Sequence, residues 1–151
     1  MSLLADLDVP VGLINVAMGG TPAEAWVRRE ALAAHPQTAA MVRGNWLENE
    51  SLESWCRERG AHNLKRALSA KYFIPGDDLG PNHSFKPGFM WDAAVAPFIQ
   101  MPVAGVLWYQ GESNAESDRR VAQHDAVLKI LVTDWRAQWK RPAFPFLFVQ
   151  L

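Results

Sequence analysis

Val103-Ala104-Gly105-Val106-Leu107-Trp108-Tyr109 runs straight into Gln110-Gly111-Glu112-Ser113-Asn114-Ala115, and the order of these two pieces decides the fold. The first is continuously apolar, as in a strand covered on both faces of a parallel sheet. The second is a turn crowded with hydrogen-bonding groups. After it, Val121, Val127, Leu128, Leu131, Val132 and Trp135 recur at helical spacing, predicting a long helix from about Ser117 to Trp139. Phe144 to Leu151 then reads as another buried strand. Strand, helix and strand in this order predict a parallel sheet.

The same grammar appears upstream. Val9-Pro10-Val11-Gly12-Leu13-Ile14-Asn15-Val16-Ala17 reads as a buried strand, and Met18-Gly19-Gly20 as a tight turn. Thr21, Pro22 and Glu24 have the spacing of a capped helix start, so a helix is expected to run to about Ala34. Residues 37–71 carry a helical pattern with one wet face, and Gly60 is expected to divide it into two helices. Pro75 to Pro87 reads as a surface loop and Phe89 to Ile99 as a short helix. The whole predicts a three-layer α/β domain with a parallel sheet.

Composition narrows the function classes. The chain has 151 residues, 49% hydrophobic, and a net charge of −1 from 15 basic and 16 acidic groups. That supports one domain with a real core. It offers no basic field for nucleic acid. No apolar run reaches the ~18 residues of a membrane span, so no membrane insertion is expected. Cys56 stands alone, which excludes an internal disulfide and suits a buried thiol. His35, His62, His83 and His124 are scattered without ligand spacing, so neither a metal nor another cofactor is expected. Met1-Ser2-Leu3 is not a secretion signal and has the look of a cloning remnant. An end on a core strand suggests a piece of a longer domain.

Two turns fall at the carboxyl ends of predicted strands, where open α/β sheets bind ligands. Gly19-Gly20 can present bare N–H groups to a phosphate or an oxyanion. Its spacing is not that of a dinucleotide loop. Gln110 and Asn114 bring amide donors, and Glu112 a base or an orienting carboxylate. A second reading takes Gly111-Glu112-Ser113-Asn114-Ala115 as a nucleophile elbow of the α/β-hydrolase type with Ser113 attacking, which requires a histidine base. His83, in the loop, is the histidine best placed to fold over the site. A third takes the chain as a non-catalytic carbohydrate-binding or scaffold piece, with Trp26, Trp46, Trp55, Trp91 or Trp108 stacking on sugar.

Taken together, Gly12-Leu13-Ile14 through Gly19-Gly20-Thr21-Pro22-Ala23-Glu24-Ala25-Trp26, Trp108-Tyr109-Gln110-Gly111-Glu112-Ser113-Asn114, Asp134-Trp135-Arg136 and Pro145-Phe146-Leu147-Phe148-Val149-Gln150-Leu151 resemble the sialate O-acetylesterase family of the SGNH hydrolases. The resemblance implies a flavodoxin-like α/β/α fold and hydrolysis of O-acetyl groups on sugars by serine acyl transfer. It implies that residues 1–151 are the central part of one esterase domain. The nucleophile block (Gly-Gln-Ser-Asn) lies before them in the family and the Asp/His block after them, and this sequence contains neither. Gly20 and Gln110 then supply the oxyanion donors, Asn114 being the next candidate, with Glu112 as an orienting carboxylate. Gly19, Trp108 and Gly111 are expected to line the substrate. The isolated chain is expected to be inactive, and its uncovered sheet faces to favour self-association. Family members are commonly exported to the periplasm or medium; the sequence itself fixes no compartment.

Overall fold

The computed structural model describes residues 6, 8–70 and 72–149. The first three residues, Lys71 at the end of the helical stretch, and Gln150 and Leu151 at the end of the last strand lie outside that set.

The carboxyl-terminal third has the predicted order of elements, although Leu107, Leu147, Phe148 and Val149 are exposed where buried strands were expected. Strand β3 (Val106–Trp108) leads through the Gln110–Asn114 turn to helix α3 (Asp118–Gln138), and the chain returns in β4 (Phe146–Phe148). The strands pair in parallel, Val106 with Phe146, Leu107 with Leu147 and Trp108 with Phe148. Ser117 caps α3 by accepting from the Arg120 N–H, satisfying one of the free donors of a first turn. Val127, Leu131 and Trp135 lie one turn apart and are buried. Val121, expected on the same stripe, is exposed.

The amino-terminal third departs from expectation. Residues 9–18 form no strand among the described residues and are mostly exposed. A strand needs a ladder partner, and the described strands are taken up in two pairs, β3 with β4 and the small antiparallel pair β1 (Gly76–Asp77) with β2 (Gly80–Pro81). The helix expected from Thr21 to Ala34 is a 3-10 turn, Ala23–Trp26, followed by the short helix α1 (Arg29–Ala34). Of the two capping signals, Thr21 stays local while Glu24 acts over long range. Thr21 Oγ1 donates to Met18 O and accepts from Trp26 Nε1, while Glu24 turns inward to Asn114.

Gly60 does not break a helix. It sits inside α2 (Ser54–Ser69), where a Cβ would collide with the Trp46 ring. Glycine is tolerated there because it lets α2 press against that indole. Residues 39–42 add a further 3-10 turn. The helix expected over 89–99 is a π-turn, Trp91–Val95, continued by a 3-10 turn, Ala96–Phe98. Pro97 lacks the N–H that a regular helix would use there.

The core is aromatic. Trp108 meets Trp26 and Trp135 edge-on, both with centroids 6.1 Å apart. Trp135 Nε1 donates to Trp26 O at 2.9 Å. Beside it Arg28 grips Asp134 with two nitrogens, at 2.6–3.0 Å. These contacts fix the 3-10 turn after Gly20 against α3, and so fix the first turn against the second. The fold is mixed α/β with a small parallel sheet.

Candidate active site

The structure brings the two glycine-containing turns together. Ser113 Oγ donates to Gly20 O at 3.1 Å, and Gln110 Nε2 donates to Thr21 O at 3.2 Å. Asn114 is the centre of the junction. Its Oδ1 accepts from Ala23 N at 2.9 Å and from Gln110 Nε2 at 2.7 Å, and its Nδ2 donates to Glu24 Oε2 at 2.8 Å. Residues about ninety positions apart in sequence are thereby tied by four side-chain hydrogen bonds.

Glu24 is the residue that sequence reasoning placed wrongly. It is 1% exposed, and burial pushes its carboxyl above the usual range, against the hydrogen bonds from its own backbone and from Asn114. Its acceptor oxygen sets the direction of the Asn114 amide. That in turn presents Asn114 Oδ1 to Gln110. The spacing Thr21-to-Glu24 suggested a local capping box; nothing in spacing signals a partner in another turn.

Gly19 and Gly20 are exposed. Gly20 has φ +75°, the left-handed region in which glycine is at ease. Neither of their N–H groups donates to an acceptor among the described residues. Two bare N–H groups on a tight turn suit a developing oxyanion. Gln110 stands at the same turn, but both its Nε2 protons are directed inward, and its buried Oε1 has no partner. Asn114 is buried, with its amide held by Glu24. Glu112 and Gly111 lie in the 3-10 turn and its entry, with the Glu112 side chain in solvent.

Burial bears on two of the sequence readings. Trp108, expected to line the substrate, is 7% exposed and packed between Trp26 and Trp135; an indole enclosed by core has no face for a sugar. Ser113 is buried and its hydroxyl is spent on Gly20 O. No histidine among the described residues bonds to it. His83 Nδ1 accepts from Phe85 N at 3.1 Å, and its ring stacks on Trp46. Burial holds His83 and His124 below the usual imidazole range. Among the described residues the elbow reading thus has a buried serine and no histidine bonded to it.

Beside Gly20 stand two aromatic rings, Trp55, one of the tryptophans offered for sugar stacking, and Phe85, which the sequence reading left out. The edge of Phe85 and the edge of Trp55 come within 3.5 and 3.6 Å of the point where a Cβ on Gly20 would sit. On the far side of the junction, Glu116 reaches the start of α2 and accepts from Ser54 N at 2.9 Å and from Ser54 Oγ. No three His, Cys, Asp or Glu side chains among the described residues are grouped to hold a metal ion.

Residues 89–151 match the family described as carbohydrate esterase, sialic acid-specific acetylesterase. The matched family is one of carbohydrate esterases. Within it, the relatives are sialate O-acetylesterases. Those of rat, mouse and human are 32%, 29% and 29% identical to this chain, each over 96% of it. The chain shares its sequence with the sialate O-acetylesterase family, and the resemblance carried by the two turns is borne out. It spans 27%, 26% and 22% of the lengths of those relatives. No solved structure matches it. No helix among the described residues is long and apolar enough to cross a membrane.

Proposed function

We propose that this chain carries the oxyanion side of an esterase that removes O-acetyl groups from sugars by serine acyl transfer. The observation that carries the reading is the junction itself: the bare N–H groups of Gly19 and Gly20 are held in place by Gln110, Ser113 and Asn114. In this reading residues 1–151 are the central part of one SGNH domain of three-layer, flavodoxin-like α/β/α form. The attacking serine and the Asp/His pair come from chain outside them.

The serine hydroxyl attacks the acetyl carbonyl as histidine takes its proton. The carbonyl oxygen gains charge and is held by Gly20 N–H. The Gln110 amide is the second donor; of its two bonds, the 3.2 Å bond to Thr21 O is the longer and the one it exchanges for the oxyanion. Collapse of the tetrahedral intermediate expels the sugar alcohol, and water then releases acetate by the same route. Asn114 and Glu24 do not touch substrate; they hold the Gln110 amide in register. Glu112, in solvent at the rim, orients a group brought by the rest of the domain, and Gly111 lines the substrate with Gly19.

Acetate release from an O-acetylated sialoside by the complete gene product tests the reading. Gln110→Ala should lower kcat by about 100-fold with little change in KM, as expected for a donor used in the transition state. The isolated 151-residue chain should release no acetate. Full activity of Gln110→Ala would remove Gln110 from the mechanism.

A further inference from the structure

The oxyanion turn has an aromatic neighbour that is still open to solvent. Trp26, Trp46, Trp91 and Trp108 are buried in the core. Trp139 packs on Trp135 and Phe144, and its Nε1 is spent on Met101 O at 3.0 Å. Trp55 differs. It is half-buried on the first turn of α2, and its Nε1 donates to no group among the described residues. Its ring edge lies 3.6 Å from the Cβ point of Gly20.

Its placement is rigid. Phe85 meets Trp55 edge-on with centroids 5.5 Å apart, His83 meets Phe85 at 4.7 Å, and Trp46 stacks on His83 at 5.5 Å. This ladder of rings runs from the core to the site. The Ser54–Glu116 bonds fix the same end of α2 to the second turn. A rigid, partly exposed indole with a free N–H offers an apolar face and a donor, the combination that suits the C–H face and the hydroxyls of a sugar ring.

We propose that Trp55 is a specificity-determining residue of this site, receiving the carbohydrate ring whose acetyl group is held at the Gly20 turn. The inference rests on the esterase reading and adds to it the residue that distinguishes a sugar ester from any other acetate ester. A purely structural tryptophan would support all esters equally.

The test compares an O-acetylated sialoside with ethyl acetate, which has no ring to stack, as substrates of the complete gene product. Trp55→Leu keeps apolar bulk against Phe85 without a flat face. It should raise KM for the sialoside about tenfold and leave kcat/KM for ethyl acetate within about twofold. Trp55→Phe, which restores a flat ring, should recover most of the loss. Thermal melting checks that each variant is folded. Equal losses on both esters, or no loss on the sialoside, would overturn the role of Trp55 while leaving the esterase reading standing. A wild-type protein that cleaves ethyl acetate but not the sialoside overturns the inference too. Cleavage of neither ester overturns both.

Discussion

At the scale of single residues, Asn114 and Gly20 matter most. Asn114→Ala removes three hydrogen bonds at once and strands a buried carboxyl, a backbone N–H and an amide. Buried groups left without partners are costly, so stability should fall by roughly 2–4 kcal/mol, measured by chemical denaturation. A loss below about 0.5 kcal/mol would mean that the junction is not what holds the turns together. Gly20→Ala meets only ordinary contacts at 3.5–3.7 Å, so its cost is conformational: about 1 kcal/mol for a side chain at φ +75°. Gln110, Asn114 and Gly20 stood out in the sequence because amides after an apolar strand and paired glycines are unusual, although no strand precedes Gly20 among the described residues. Glu24 and Phe85 were not, and Trp55 was one of five tryptophans the sequence offered for stacking on sugar. Their roles arise from contacts across tens of residues, and their local spacing fits blander readings equally well.

At the scale of elements, the start of α2 and the start of α3 are joined through charge. Burial, and then the hydrogen bond to Glu116, pushes the Glu53 carboxyl up to about 8. Its partner Glu116, hydrogen-bonded by Glu53 and Ser54, is held down to about 2. Of the pair, Glu53 is the one that favours holding the shared proton. Arg120 donates to the carbonyls of Glu50, Ser51 and Leu52 and lies 3.7 Å from Glu53. A carboxyl that binds its proton more tightly when folded favours folding below its unfolded value of 4.5 and loses that contribution as pH rises toward 8. Glu116 acts with the opposite sign: its contribution is present above 4.5 and fades as pH falls toward 2. The Glu53 part of the melting temperature should thus decline between pH 4.5 and 8, against the opposite trend from the lowered His83 and His124. Glu53→Gln, which keeps a donor to Glu116, should flatten that decline; an unchanged pH profile would contradict the shared proton. Asp134→Asn should cost about 2 kcal/mol by loosening the two-nitrogen grip of Arg28, read as a lower denaturation midpoint. Among the elements, α3 and the β3–β4 pair were legible because a long amphipathic period and two apolar runs leave little choice. The helix expected after Gly20 was not, because Glu24 found a distant partner in Asn114 and Thr21 bonds back to Met18 O.

At the scale of the whole molecule, the sheet is uncovered on one side. Leu107 and Leu147 are register partners and are 76% and 61% exposed. Tyr109, Phe148 and Val149 are exposed beside them. An apolar face of this kind favours association with any apolar surface. We expect the isolated chain to self-associate, seen as a concentration-dependent sedimentation coefficient; a constant monomer value across the range would contradict it. The parallel sheet was legible from continuous apolar runs. Those same runs made residues 9–17 look like a strand, since periodicity reports the burial a segment suits and not whether a ladder partner is beside it.

The central claim is that the two turns form the oxyanion side of a sugar O-acetylesterase whose nucleophile is not Ser113. Acetate release from an O-acetylated sialoside by the complete gene product, wild type against Ser113→Ala, tests it most directly. The account predicts turnover by both proteins, with the variant losing no more than the cost of the Ser113–Gly20 bond, about tenfold. No acetate release by the wild type, or complete loss in a folded Ser113→Ala protein, would contradict it.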